Sequence, residues 1–169
     1  MALPASKRAS NWRIVGARHA GITVSDLGRS LAFYRDELGL ELLWRRVYEE
    51  PEIREIVGVA EATSFDIAML RVPGSDLEIE LLEYRGCEQE AAPTEPSTPG
   101  TGHLCLFVRS IEACFDDLSE RGVRFRSGGP VELTAGRNRG GKSLYSTDPD
   151  GYVVEFHEPP PHLLHDDGH

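Results

Sequence analysis

Apolar residues along this chain alternate between two spacings. Around HAGITV, Ile22 and Val24 fall on one side and His19, Gly21 and Thr23 on the other, the two-residue period of a strand, which is expected to run from Arg13 to Val24. Ser25 and Asp26 can cap a helix carried by Leu31, Phe33, Tyr34 and Leu38 and ended at Gly39. Strands are expected over residues 40–48, 65–72 and 77–84, the last two joined by the turn Pro73-Gly74-Ser75-Asp76. Residues 51–62, opened by Pro51, read as a short helix or loop.

Residues 86–102 hold Pro93, Pro96 and Pro99 with little that is apolar, the composition of a linker. The same order of elements then returns: a strand over 103–108, a helix over 110–121 ended by Gly122, then strands over 123–126, 131–134, 143–147 and 152–157. The expected division is a loose start (1–12), a first βαβββ module (13–85), the linker (86–102), a second module (103–158) and a tail (159–169). This is an α+β chain built from a tandem repeat.

The repeat reaches the individual residues. HAGITVSDLGRSLAFYRDELGLEL lies over HLCLFVRSIEACFDDLSERGVRF, pairing His19 with His103, Val24 with Val108 and, after one deletion, Gly39 with Gly122. IELLE at 79–83 lies over VEFHE at 154–158, pairing Glu80 with Glu155 and Glu83 with Glu158. Each of Glu80 and Glu155 sits in mid-strand between apolar neighbours that point the other way, a position costly for a carboxylate unless it is paired or bound to a cation. Two imidazoles and two carboxylates supply a mixed nitrogen–oxygen set suited to one borderline divalent ion with room for water or substrate. Taken singly, a strand histidine is more often a hydrogen-bonded core residue and a strand glutamate a solvated one; the matched parity in both halves favours the metal. Glu78 shares the face of Glu80 and is its nearest competitor, whereas Glu83 and Glu158 have the opposite parity and fit a rim.

These segments resemble the glyoxalase I / vicinal-oxygen-chelate superfamily. HAGITVSDLGRSLAFYRDELGLEL is similar to its opening strand and helix, and DPDGYVVEFHE to its closing strand; with GTGHLCLFV and LEIELLEY the likeness spans residues 13–158. The resemblance implies paired βαβββ modules in a cupped mixed sheet, and a metal at His19, Glu80, His103 and Glu155. It is nearest in character to glyoxalase I and methylmalonyl-CoA epimerase and does not separate them. It implies one divalent ion per site (zinc, nickel, cobalt, manganese or iron), a carbonyl or thioester substrate, and proton transfer beside a metal-polarised carbonyl. Glu155 and Glu80 are the first candidates for the base, with Glu61 as a third whose plainer reading is a solvated loop carboxylate. A fourth protein ligand argues against an extradiol-type dioxygenase, which uses two histidines and one carboxylate. A metal-free binding or resistance protein is the main alternative on the same fold. Relatives are usually homodimers, so a site within one chain and a site between two remain open.

Charge and composition narrow the partners. A net charge of −10 argues against a nucleic-acid partner, which would call for a basic face. No apolar run reaches the ~20 residues of a membrane span, and MALPASKRAS lacks the apolar stretch of a secretory signal, so the cytoplasm is the expected compartment. Cys87, Cys105 and Cys114 form no metal-binding spacing and suit reduced thiols. GRNRGGKS at 136–143 fits the phosphate-loop pattern, but strand and turn follow where such a loop needs a helix. Its basic residues are as well read as a charged hairpin loop as a holder of substrate carboxylates or phosphates. Trp12 and Trp44 read as core or interface aromatics, and His162, His165 and His169 as parts of the tail.

Overall fold

The computed structural model describes residues 12–90 and 95–163. Its strands form two four-stranded mixed sheets of the same design. In the first, β1 (His19–Val24) runs parallel to β4 (Glu78–Arg85), and β3 (Ser64–Arg71) and β2 (Glu41–Tyr48) follow antiparallel. In the second, β5 (His103–Phe107) runs parallel to β8 (Val153–Glu158), followed by β7 (Lys142–Thr147) and β6 (Val131–Glu132). Among the described residues no helix is long and apolar enough to cross a membrane.

Strand alternation sorts each sheet into two faces. Ile22, Val24, Ile79, Leu81, Leu104, Leu106, Val154 and Phe156 point to one side and join a single core with helix residues Leu27, Leu31, Tyr34, Ile111 and Leu118. That core takes residues from both modules, so the helix-covered faces are shared, while the opposite faces carry His19, Glu80, His103 and Glu155. A second, apolar cluster lies on that opposite face of the first sheet, where Ile53 and Val57 of α2 (Pro51–Val57) pack on Phe65 and Ile67.

The helices show how parity acts through space. α1 (Leu27–Leu31) continues as a π-helix over Ala32–Glu37, marked by the Leu38 N–H reaching the Phe33 carbonyl at 3.0 Å. Asp26 caps it by accepting from the Arg29 N–H at 2.9 Å. Glu83 accepts from the Leu27 N–H at 2.8 Å, and its repeat partner Glu158 accepts from the Ile111 N–H at 2.6 Å at the start of α3 (Ile111–Glu120). These carboxylates, expected at a rim, satisfy helix N-termini, which need acceptors and favour negative charge.

Other expectations are corrected. Arg13 to Arg18 form no strand; β1 begins at His19. Residues 123–126 make only the bridge of Phe125 with Ser146, because Gly128-Gly129-Pro130 cannot extend a ladder. The segment expected as a tail, residues 159–169, is partly packed: Pro160 is buried, and a short 3₁₀ turn covers Pro161–Leu163. Gly141 permits this, since a Cβ there would stand 2.9 Å from the Pro160 Cδ and 2.7 Å from the Glu158 carbonyl oxygen. The GRNRGGKS segment is a turn running straight into β7, so no helix N-terminus faces a phosphate. Residues 1–11, 91–94, His165 and His169 lie outside the described residues.

One buried acid ties the first sheet together. Asp66, 1% exposed, accepts two hydrogen bonds from Arg45 (3.0 and 2.7 Å) and one from Arg85 (2.7 Å). The Arg45 hydrogen bonds, aided by the charges of Arg45 and Arg85, hold its carboxyl below the usual range against the effect of burial. A lowered folded pKa means this contribution is complete above the unfolded carboxyl value, about 4, and is lost as pH falls through the folded one. Denaturant midpoints followed against pH should therefore fall in acid, and Asp66→Asn should flatten that fall; an unchanged slope contradicts the assignment.

Candidate metal centre

His19 opens the edge strand β1 and Glu80 lies on its parallel neighbour β4, where the pairing places Glu80 opposite Gly21. The His19 Nε2 and Glu80 Oε2 atoms stand 3.2 Å apart. The second module repeats this: His103 opens the edge strand β5, Glu155 lies opposite Cys105, and His103 Nε2 is 3.3 Å from Glu155 Oε2. Both pairs lie on the sheet faces turned away from the shared core, with their carboxylates mostly covered, 17% and 15% exposed, and their imidazoles more open, at 30% and 47%. Two donors on one ion at about 2.1 Å, between octahedral and tetrahedral angles, stand about 3.0–3.4 Å apart. Each pair has that spacing, and its nitrogen and oxygen donors suit a borderline divalent ion.

Within one chain the two pairs do not form one cluster. Among the described residues no group of three or more His, Cys, Asp or Glu side chains forms a metal site. The structure joins His19 to Glu80 and His103 to Glu155, but not one pair to the other. Glu78 is engaged elsewhere, accepting from Arg71 at 3.3 Å. Glu61 lies in the exposed turn after α2, and among the described residues no hydrogen bond or ion pair joins it to either half-site.

The surroundings of the two glutamates differ. Around Glu80 the matching strand positions are Met69, Ile67, Leu82 and Gly21; around Glu155 they are Tyr145, Ser143, His157 and Cys105. The Ser143 hydroxyl donates to Glu155 Oε1 at 2.7 Å and lies 2.8 Å from the Nδ1 of His157, which is 4% exposed. Tyr145 stacks at a tilt on His103, with ring centroids 5.5 Å apart. Burial, then the Glu155 charge and hydrogen bond, push the Cys105 thiol up to about 12 and raise the Tyr145 phenol as well. Both groups therefore stay protonated at neutral pH. The sequence does not single out these four residues for the site, although the strand alternation that marks Glu155 also puts His157 on its face.

The model of the Glyoxalase/Bleomycin resistance protein/Dioxygenase superfamily matches residues 16–156. The chain belongs to this superfamily. It is similar to the lactoylglutathione lyase of Haemophilus influenzae, with 32% identity over 144 residues, 83% of this chain and 90% of that protein. A 2-epi-5-epi-valiolone epimerase of Actinomyces is 31% identical over 146 residues, 84% of this chain and 78% of that protein. The chain spans only 45% of the lactoylglutathione lyase of Schizosaccharomyces pombe, to which it is 29% identical over 145 residues. A crystal structure of a glyoxalase family protein from Bacillus cereus shares the fold, with a TM-score of 0.72 over 90% of this chain and 99% of that one at 19% identity. The superfamily's α+β design of repeated modules is therefore this chain's own.

Proposed function

We propose that this superfamily member is a metal-dependent lyase or isomerase that moves a proton beside a carbonyl, with His19, Glu80, His103 and Glu155 as its metal ligands. The observation that carries the reading is the repeated His–Glu pair, 3.2 and 3.3 Å across, at the same strand positions of both modules. A single chain holds the pairs apart, so the four-ligand site assembles between two copies, the first module of one meeting the second module of the other. The open imidazoles and the 78% exposed Phe107, on the same strand face as His103 and Cys105, support such a cover.

A divalent ion, when bound, would polarise the substrate carbonyl and so acidify the neighbouring C–H bond. The chain's own residues do the rest. A carboxylate, Glu80 or Glu155, accepts the proton, and it or the other returns one, to the adjacent carbon in a 1,2-shift or to the opposite face of the same carbon in an epimerisation. The protonated Tyr145 and Cys105 line the Glu155 half-site as donors rather than bases. Phe107 and Met69 would keep water from the reacting carbon once two copies meet.

The names of the relatives, a lactoylglutathione lyase and a 2-epi-5-epi-valiolone epimerase, support two reaction classes. The test is metal analysis of the purified protein, followed by assay of both classes and of a methylmalonyl thioester, before and after chelation. One metal per chain and turnover lost on chelation are expected, whereas turnover indifferent to chelation would sink the reading.

A further inference from the structure

The two half-sites match in their ligands but not in what holds those ligands. A carboxylate only accepts hydrogen bonds, so the single proton of the Ser143 hydroxyl is spent on Glu155 Oε1. Its oxygen must then accept from His157, which fixes the imidazole proton on Nδ1. The chain His157 Nδ1–H to Ser143 Oγ–H to Glu155 Oε1 runs in one direction. It ties down Oε1, while Oε2 stands 3.3 Å from His103 and the carboxylate also takes hydrogen bonds from Cys105 and Tyr145.

Among the described residues nothing comparable exists at the first half-site. The positions matching Ser143 and His157 are Ile67 and Leu82, and the position matching Tyr145 is Met69. These side chains offer no donor, and the polar neighbour of the Glu80 carboxylate is His19 alone among the described hydrogen bonds and ion pairs. Among the described hydrogen bonds and ion pairs Glu80 therefore lacks the second anchor that Glu155 has.

We infer that Ser143, backed by His157, is a positioning residue that locks Glu155 in its metal-binding orientation, making the His103–Glu155 half-site the one that captures and retains the ion. The inference rests on the metal-dependent reading above. A hydrogen-bonded ligand has less orientational entropy to lose on binding, and removing such a supporting partner costs about 10–100-fold in metal affinity.

The test uses the full-length protein, with zinc affinity from competition against a chromophoric chelator and the visible spectrum of the cobalt-loaded form. Ser143→Ala should weaken zinc binding about 10–100-fold and alter the cobalt spectrum, with the fold kept and Tm lowered only by the orphaned His157 Nδ1–H. Ser143→Thr, which keeps the hydroxyl, should restore both. Glu155→Gln is measured alongside as the probe of the underlying reading. If the wild type takes up no metal, reading and inference fall together. If Glu155→Gln weakens binding while Ser143→Ala stays within about twofold, only the positioning role is overturned. A Thr variant as weak as the Ala variant overturns it too. Should Ser143→Ala not fold, His157→Leu, which installs the first-module residue, removes the backing donor; unchanged affinity there overturns the inference.

Discussion

Glu155→Gln is expected to reduce turnover by about 10²–10⁴-fold while the fold persists. Glutamine has nearly the same shape, and its carbonyl can still accept from Ser143 as the carboxylate does at 2.7 Å. What disappears is the negative charge beside His103 and the ability to accept a proton. Since Glu155 does not cap a helix, as Glu158 does, the melting temperature should hardly move. The measurement is kcat and bound metal for Glu155→Gln and Glu80→Gln side by side. A variant of either kind that kept more than about a tenth of the wild-type kcat, less than 1.4 kcal/mol of barrier, would remove that carboxylate from the mechanism.

The second large effect concerns how the modules are held. Tyr34, in the first module, is fully buried, meets Phe33 edge-on at 5.1 Å, and donates its hydroxyl proton to Asp148 of the second module at 3.0 Å. Asp148, 4% exposed, also accepts from the backbone N–H groups of Asp150 at 2.9 Å and Tyr152 at 2.8 Å. Next to it, Asp150 takes the Ser25 hydroxyl and the Arg29 guanidinium, both at 2.6 Å, so this turn bridges the modules. Tyr34→Ala should cost about 3–5 kcal/mol, from the cavity and the partly orphaned carboxylate. Tyr34→Phe keeps the ring and leaves Asp148 its two backbone donors, so it should cost about 1–2 kcal/mol. Urea midpoints compare them; equal losses would show that the hydroxyl, not the ring, carries the whole effect and would contradict this division.

Much of the fold was legible because strand alternation and repetition are written in single residues. His19 with His103, and Glu80 with Glu155, stand out as polar groups between apolar neighbours, and the structure places each His beside its own Glu. What was not legible depends on contacts through space. Glu83 and Glu158 were recognised as a repeated pair, but only the packing of helix on sheet shows that they accept from helix N-termini. Residues 123–126 alternate like a strand, yet the ladder stops at Gly128-Gly129-Pro130. Ser143 was hidden inside a phosphate-loop look-alike, and its link to His157 needs the register of β7 on β8. The separation of the two His–Glu pairs within one chain likewise has no signature in either strand, since it follows from which faces the modules share.

That separation makes the most direct test a mixture of two damaged proteins. His19→Ala lacks a ligand in the first module and His103→Ala one in the second, and each alone should be inactive and bind metal poorly. If every site joins the first module of one chain to the second module of another, a mixed dimer has one doubly damaged site and one intact site. Refolded together in equal amounts, half the dimers are mixed, so about a quarter of wild-type activity and tightly bound metal should return. Mixed dimers that form and yet recover neither would contradict the shared four-ligand site.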